Sequence, residues 1–365
     1  MQMIGFAVQL SFVFLAVSKA EAGTERRAAI IISSITDDDF DNDIELRKRE
    51  VPEPEAQIQT TTLLFNLSKN ADDVRFLLYN KRNLGVSQEL RYNDTESFKK
   101  SSFNPQEKTV FLIHGFWTNS SSPMPTTLKK AFLEASVPFN LIVVDWGLLS
   151  KPEPPKVLYA PVAYSMVVKR SIPIVYNRIA DFIRFMRASN YTSLKKLKII
   201  GHSLGAHVAG GVGRTVASFP ESKGRKLARV TGLDPAGPLF QKLPVGQKIT
   251  KDDAEFVDIY HTAAGTLGIS AFTDGHVNFI PNGGHHQPGC VDPTNPVLGE
   301  AEFGSCSHNF VTKIYAASIT RSFLACECDP ELAIKNECPV NCNVTVLAGE
   351  PCPASTRGQY YFETT

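Results

Sequence analysis

Cysteine is missing from the first 289 residues of this 365-residue chain, and all seven cysteines, Cys290, Cys306, Cys326, Cys328, Cys338, Cys342 and Cys352, crowd into the last quarter. A charge bias is missing too: 38 Lys and Arg stand against 37 Asp and Glu, a formal +1, which gives no reason to expect nucleic acid or a strongly anionic surface as partner. No apolar stretch after the amino terminus is long enough to cross a membrane. No internal repeat is visible. What is present is a 43% hydrophobic content, ample for a large core.

The amino-terminal residues 1–22 read as a secretory signal. Ile4 to Val17 is nearly unbroken apolar sequence, too short to span a bilayer, and Ala20-Glu21-Ala22 supplies a small-x-small cleavage pattern. The segment before the apolar run has no Lys or Arg, a mild departure. In that compartment the clustered cysteines are expected to be disulfides rather than metal ligands, and their odd number leaves one over. Five sequons, at Asn66, Asn93, Asn119, Asn190 and Asn343, become candidate glycosylation sites. Residues 23–58 differ from the rest: an acidic run from Asp37 to Asp43, then Arg47-Lys48-Arg49-Glu50, then Pro52 and Pro54. This composition buries little, and its basic cluster fits a pro-segment processing site or a solvated tail equally well.

From residue 59 onward the pattern is globular. Val74 to Tyr79, Val110 to Ile113, Leu141 to Val144, Leu197 to Ile200, Arg229 to Leu233 and Val257 to His261 read as strands. Several are continuously apolar, as expected of strands covered on both faces. Pro125 to Ala135 reads as a helix, and Val175, Ile179, Phe182, Ile183 and Met186 keep helical spacing. Strands alternating with helices predict an α/β architecture with a mostly parallel central sheet and helices on both faces. Residues 59–365 are expected to form that single domain. Reacting groups in such sheets gather at the carboxyl ends of strands, where His114, Ser203 and Asp234 fall.

The organising stretch is Gly201-His202-Ser203-Leu204-Gly205, a G-x-S-x-G between an apolar strand and a small-residue helix from Ala206 to Gly213. A strand turning sharply into a helix needs glycine on both sides of the turn and lifts the serine clear of the sheet. A serine hydroxyl needs an adjacent base, and the base needs a carboxylate to hold its tautomer. Asp234, in Gly232-Leu233-Asp234-Pro235 at a strand end, is the best acid. His261, His276, His285, His286 and His308 follow it, and the residues alone do not choose among them. His308 is favoured because Cys306 lies two residues before it and a disulfide could fix its loop. His202 and His207 flank the serine and are expected to point away as structural residues. Two backbone N–H groups should hold the oxyanion: that of Leu204, after the serine, and that of Phe116 in His114-Gly115-Phe116.

These pieces resemble the pancreatic-lipase family of secreted animal lipases, which includes insect and vespid-venom phospholipases. The likeness rests on Phe111 to Phe116, Val143 to Trp146, Ile199 to Gly210, Thr231 to Pro238, Val257 to Thr262, Phe279 to Gly284, Pro288-Gly289-Cys290 and Cys306-Ser307-His308, in family order. The resemblance implies an α/β-hydrolase fold and a triad of Ser203, Asp234 and His308, with Phe116 and Leu204 as oxyanion donors. It also implies a lid closed by Cys290 and Cys306, the pairing of Cys342 with Cys352, and the pairing of Cys338 with Cys326 or Cys328. No cofactor or metal is implied. The partner is a lipid substrate at a membrane or emulsion interface, and no colipase is expected, because the chain ends near Tyr360-Tyr361-Phe362, before the family's β-sandwich domain. Two features depart from the pattern: Phe310 stands where the family usually has Arg two residues after the histidine, and the loop around Phe219 to Lys226 looks enlarged. The lid, Val291 to Ser305, and the loop from His261 to Gly275 are short. In the family that combination goes with phospholipid or galactolipid substrates, so cleavage of the sn-1 ester of phospholipids is expected. The alternatives are a neutral or digestive lipase and a non-catalytic lipid-binding or yolk-like storage protein.

Overall fold

The computed structural model describes residues 66–364 except 84, 152–159, 291–304, 340–341 and 343–344, together with 13–17 and 27–31. Residues 1–63 and 64–365 form two separate units. In the first, β1 (Val13–Val17) pairs antiparallel with β2 (Arg27–Ile31). β1 falls within the expected signal's apolar run and β2 beyond its expected cleavage point; the rest of that segment and the acidic and basic stretch lie outside the described residues.

The second unit is built on a sheet of eleven strands. They are β3 (Arg75–Tyr79), β4 (Gln88–Leu90), β5 (Lys108–Ile113), β6 (Phe139–Asp145), β7 (Leu197–His202), β8 (Leu227–Leu233), β9 (Ala254–Tyr260), β10 (Val277–Pro281), β11 (Phe323–Glu327), β12 (Thr345–Ala348) and β13 (Gly358–Phe362). Their spatial order is β12-β11-β13-β10-β9-β8-β7-β5-β6-β3-β4. Pairing is parallel from β6 through β5, β7, β8, β9 and β10 to β13, and antiparallel at both margins. This is the mostly parallel α/β sheet that the strand and helix pattern predicts.

The helices are α1 (Thr95–Lys99), α2 (Pro123–Glu134), α3 (Gly147–Ser150), α4 (Ala160–Met166), α5 (Ile172–Ala188), α6 (Leu204–Ser218), α7 (Ser305–Ser318) and α8 (Pro330–Ile334). Side chains of a strand alternate between faces, so each buried strand feeds two cores. On β5, Phe111 and Ile113 enter the core shared with α5 and α6, while Val110 and Leu112 enter the core shared with α2 and α7. The helical spacing on α5 is borne out: Val175, Ile179, Phe182, Ile183 and Met186 are all buried.

The core shared with α2 and α7 contains charge. Arg229 on β8 donates to both carboxylate oxygens of Asp258 on β9, at 2.9 and 2.7 Å, and to the carbonyls of Gly349 and Glu350 at 2.8 Å. Lys198 on β7 donates to the Tyr315 hydroxyl at 2.5 Å and pairs with Glu350. Tyr315 in turn donates to Glu350 at 2.8 Å. Burial, with Arg229 nearby, pushes the Lys198 ammonium down to about 8. The network fastens α7, through Tyr315, to the start of the central strands.

Three disulfides form among the described residues: Cys290–Cys306, Cys326–Cys342 and Cys328–Cys338. The lid-closing pair is the expected one, and Cys338 takes Cys328. The expected Cys342–Cys352 pair is corrected. β11 and β12 run antiparallel with Cys326 opposite Thr345, which brings Cys342, just ahead of β12, beside Cys326. Cys352 instead lies buried as a free thiol in the core that holds Tyr315.

Removing one partner from a buried ion pair strands the other without compensation. Arg229→Leu should therefore lower unfolding stability by about 3–5 kcal/mol, read from a urea titration. The double variant Arg229→Leu, Asp258→Leu should recover most of that loss.

Candidate active site

The site sits where β5, β7 and β8 end side by side. Ile113 pairs with Gly201, and His202 with Leu233, so His114, Ser203 and Asp234 are the next residues on three adjacent strands. Ser203 carries φ 57° and ψ −124°, a strained backbone that a serine adopts only where its surroundings enforce it. The enforcement is steric. A side chain on Gly201 would strike the carbonyl oxygen of Gly205 at 2.0 Å, and one on Gly205 would strike the carbonyl of Ile113 at 2.2 Å. The turn closes only because both positions lack a Cβ.

Two N–H groups are the expected oxyanion donors. Leu204 opens α6, so its N–H has no acceptor inside the helix and lies at the positive end of the helix dipole. The other belongs to Phe116. Gly115 packs so closely on Ser203 that a Cβ there would lie 2.8 Å from the serine Cβ and 3.3 Å from its Oγ. Among the described residues neither N–H is engaged elsewhere. His114 shapes this loop rather than reacting. Its Nε2 accepts from the Trp146 N–H at 3.1 Å, its carbonyl accepts from the Trp146 indole N–H at 3.0 Å, and its Nδ1 bonds the Gly115 carbonyl at 3.0 Å.

Asp234 is completely buried. One carboxylate oxygen accepts from the N–H groups of Thr262 and Ala263 at 2.7 and 3.1 Å. The other meets His308 Nδ1 at 2.5 Å. Of the five histidines that follow the aspartate, this is the one paired with it. His261 bonds Asn278 at 3.1 Å, His276 accepts from the Val257 N–H, and His285 bonds the Ala264 carbonyl. His308 departs from expectation in one respect: it lies in the first turn of α7, not on a loop. Ser203 Oγ forms no hydrogen bond to it among the described residues. Catalytic contacts of this kind often tighten only when substrate binds.

The neighbouring histidines are structural, but His202 does not point away. Its Nε2–H donates to the His308 carbonyl at 2.9 Å. His207 bonds the Ala236 carbonyl at 2.8 Å and accepts from the Ile249 N–H, which braces the turn after Asp234. Burial pushes both imidazoles down to about 3, so both are neutral.

Several supports have no motif to reveal them. The loop from His261 to Gly275 wraps the aspartate: Thr262 and Ala263 donate to it, and a side chain at Gly268 would stand 2.7 Å from both its oxygens. Gln287 holds that loop through the Thr262 carbonyl at 3.2 Å, while its N–H reaches Ser307, next to His308. Only a contact between distant segments defines these roles. The loop from residue 291 to 304, the expected lid, lies outside the described residues, although its closing disulfide is formed. Phe310 is a half-buried packing residue, with Lys313 over its ring.

The sequence matches a family model described as Lipase over residues 44–349. Similar proteins include lipase member H of Mus musculus, 34% identical over 293 residues covering 80% of this chain and 58% of that protein. Pancreatic triacylglycerol lipase of Sus scrofa is 35% identical over 274 residues, 70% of this chain and 56% of that protein. The chain thus spans about half the length of the curated relatives it matches. Among solved structures, a dienelactone hydrolase-like promiscuous phosphotriesterase from metagenomic libraries aligns with 68% of this chain and 97% of its own, at 13% identity and a TM-score of 0.38.

Gly268→Ala should push the Asp234 carboxylate off His308 while costing only about 1–3 kcal/mol of stability. The check is the downfield imidazole N–H proton resonance of the His308–Asp234 bond, which should be present in the parent protein and lost or moved upfield in the variant.

Proposed function

The chain belongs to the pancreatic lipase family, and from that premise we propose that it is a secreted serine hydrolase that cleaves carboxylic esters of glycerolipids. The observation that carries the reading is the Asp234–His308 bond, buried at the strand ends beside a strained Ser203. Two main-chain donors and one imidazole give each carboxylate oxygen a partner, and the carboxylate holds the ring with its second nitrogen available for a proton.

In the proposed reaction Ser203 Oγ attacks the ester carbonyl as His308 takes its proton. The N–H groups of Phe116 and Leu204 receive the oxyanion. His308 then gives the proton to the departing alcohol, and an acyl-serine remains. Water, deprotonated by the same histidine, attacks the acyl carbonyl, and His308 passes the proton to Ser203 Oγ as the fatty acid leaves. His308 is a cation during each transfer, and Asp234 is the charge that stabilises it. No step calls for a metal or cofactor.

We place the substrate among phospholipids, with cleavage at the sn-1 ester. The support is the short loop from His261 to Gly275, which folds back on itself and on Asp234: Gly268 N donates to Ala263 at 2.9 Å and Ile269 N to Pro235 at 2.8 Å. Export fits the disulfides, and Asn66, Asn93 and Asn190 present exposed side chains for glycans. The neutral-lipid reading is favoured by the name of one relative, pancreatic triacylglycerol lipase.

Two measurements test this. Ser203→Ala should lower ester hydrolysis by about 10⁴-fold or more and abolish labelling by a serine-directed phosphonate; a variant with full activity, or a parent protein that never reacts, removes the triad. A panel of phosphatidylcholine, galactolipid, triolein and a short-chain ester should release sn-1 fatty acid from phosphatidylcholine fastest. Release confined to triolein would make the protein a neutral lipase.

A further inference from the structure

The residue immediately before Ser203 reaches the base directly. His202 closes β7, is buried, and donates its Nε2–H to the backbone carbonyl of His308 at 2.9 Å. A carbonyl can only accept, so this nitrogen carries the proton and the tautomer is fixed. The two imidazole rings are tilted by 41° with centroids 4.6 Å apart. One peptide bond separates His202 from the serine. A single side chain therefore spans from the segment carrying the hydroxyl to the segment carrying the base, with no loop between them.

We infer that His202 is a positioning residue that sets the separation of the Ser203 hydroxyl and the His308 imidazole. The inference rests on Ser203 and His308 being nucleophile and base. The other ties on His308 do different work. Asp234 grips Nδ1 and so orients the ring, but it stands at the end of a different strand. The Cys290–Cys306 disulfide ties the first turn of α7 to Cys290, just ahead of the loop that precedes the helix. Tyr315 anchors α7 two turns further on, toward the opposite end of the strands. The His202 bond joins the first turn of α7 to the nucleophile's own strand.

Charge supports the same assignment. A second imidazole beside the base could compete for the proton leaving the serine. The titratable groups facing His202 are His308 from α7, Asp234 from the end of β8 and His114 from the end of β5. Burial, reinforced by His308, pushes the His202 ring down to about 3. It therefore remains a neutral donor while His308 gains and loses its proton.

The test uses the full chain with His202→Gln, His202→Asn and His202→Leu, assayed on a soluble p-nitrophenyl ester and by the rate of phosphonate labelling. The glutamine amide N–H reaches the position of Nε2–H, whereas asparagine is one carbon short and leucine has no donor. Glutamine should retain kcat within about threefold, while asparagine and leucine lose roughly 10–100-fold with KM little changed and labelling slowed in step. Equal kcat in the glutamine and asparagine variants, or a loss confined to KM, overturns the inference. Should the leucine variant fail to fold by circular dichroism, the glutamine and asparagine pair decides. A parent protein that neither turns over nor labels would instead remove the serine-hydrolase reading, and this inference with it.

Discussion

A carboxylate buried without any exposure must find a donor for each oxygen or lose its charge. Much of the architecture around Asp234 follows from that requirement. β8 delivers the residue to the rim of the sheet, and its own N–H bonds the Tyr260 carbonyl at 2.8 Å, so the neighbouring strand fixes the turn. The segment after β9 supplies two amides, α7 supplies an imidazole, and Gly268 lets the main chain press close on the oxygens. Three segments separated by many residues are thereby held to one atom group. The serine sits on the adjacent strand because the parallel register puts it there, with its N–H on the Leu233 carbonyl at 3.1 Å, while its hydroxyl bonds none of them among the described residues.

The long buried strands were legible in the amino-acid sequence, and the reasons are physical. β5, β6 and β7 are covered on both faces, so their apolar runs are continuous; α5 is covered on one, so its apolar residues recur at helical spacing. The Ser203 turn was legible because two glycines in so short a space are explained only by a steric demand. Asp234 was legible from the Pro and Gly that force the chain away after it. His308 was not decided by its own surroundings: five histidines follow the aspartate, and what separates them is which ring reaches a carboxylate through space. Its placement on a helix also went unread, although Val311, Ile314, Tyr315 and Ser318 in α7 are buried at helical intervals. β10 to β13 are short and partly polar, so they carry little periodicity. The cysteine partners depended on how β11 and β12 pair, which no spacing encodes. The stretches expected to be a signal, a pro-segment or solvated tail, and a lid fall outside the described residues, apart from β1 and β2.

The same helix is held at two ends by different chemistry. Near its start, His308 uses neutral hydrogen bonds and one carboxylate. Two turns on, Tyr315 belongs to a cluster in which Lys198, Arg229, Asp258 and Glu350 compensate one another. Desolvating four charges is expensive, and apolar packing of equal volume would often serve stability as well. What the charges add is register: a hydroxyl between an ammonium and a carboxylate has one place to sit, whereas a leucine could slide. A helix that cannot slide keeps its first turn in a fixed relation to the strand ends.

The unpaired Cys352 bears on how the three disulfides keep their partners. Thiol–disulfide exchange starts from a thiolate, and burial raises this thiol to about 11, so at neutral pH the attacking species is almost absent as well as walled in. The three bridges are thus shielded from the one internal group able to reshuffle them. Once folded, the molecule's oxidation pattern is locked from within, and any scrambling or covalent dimerisation has to begin with the core already open.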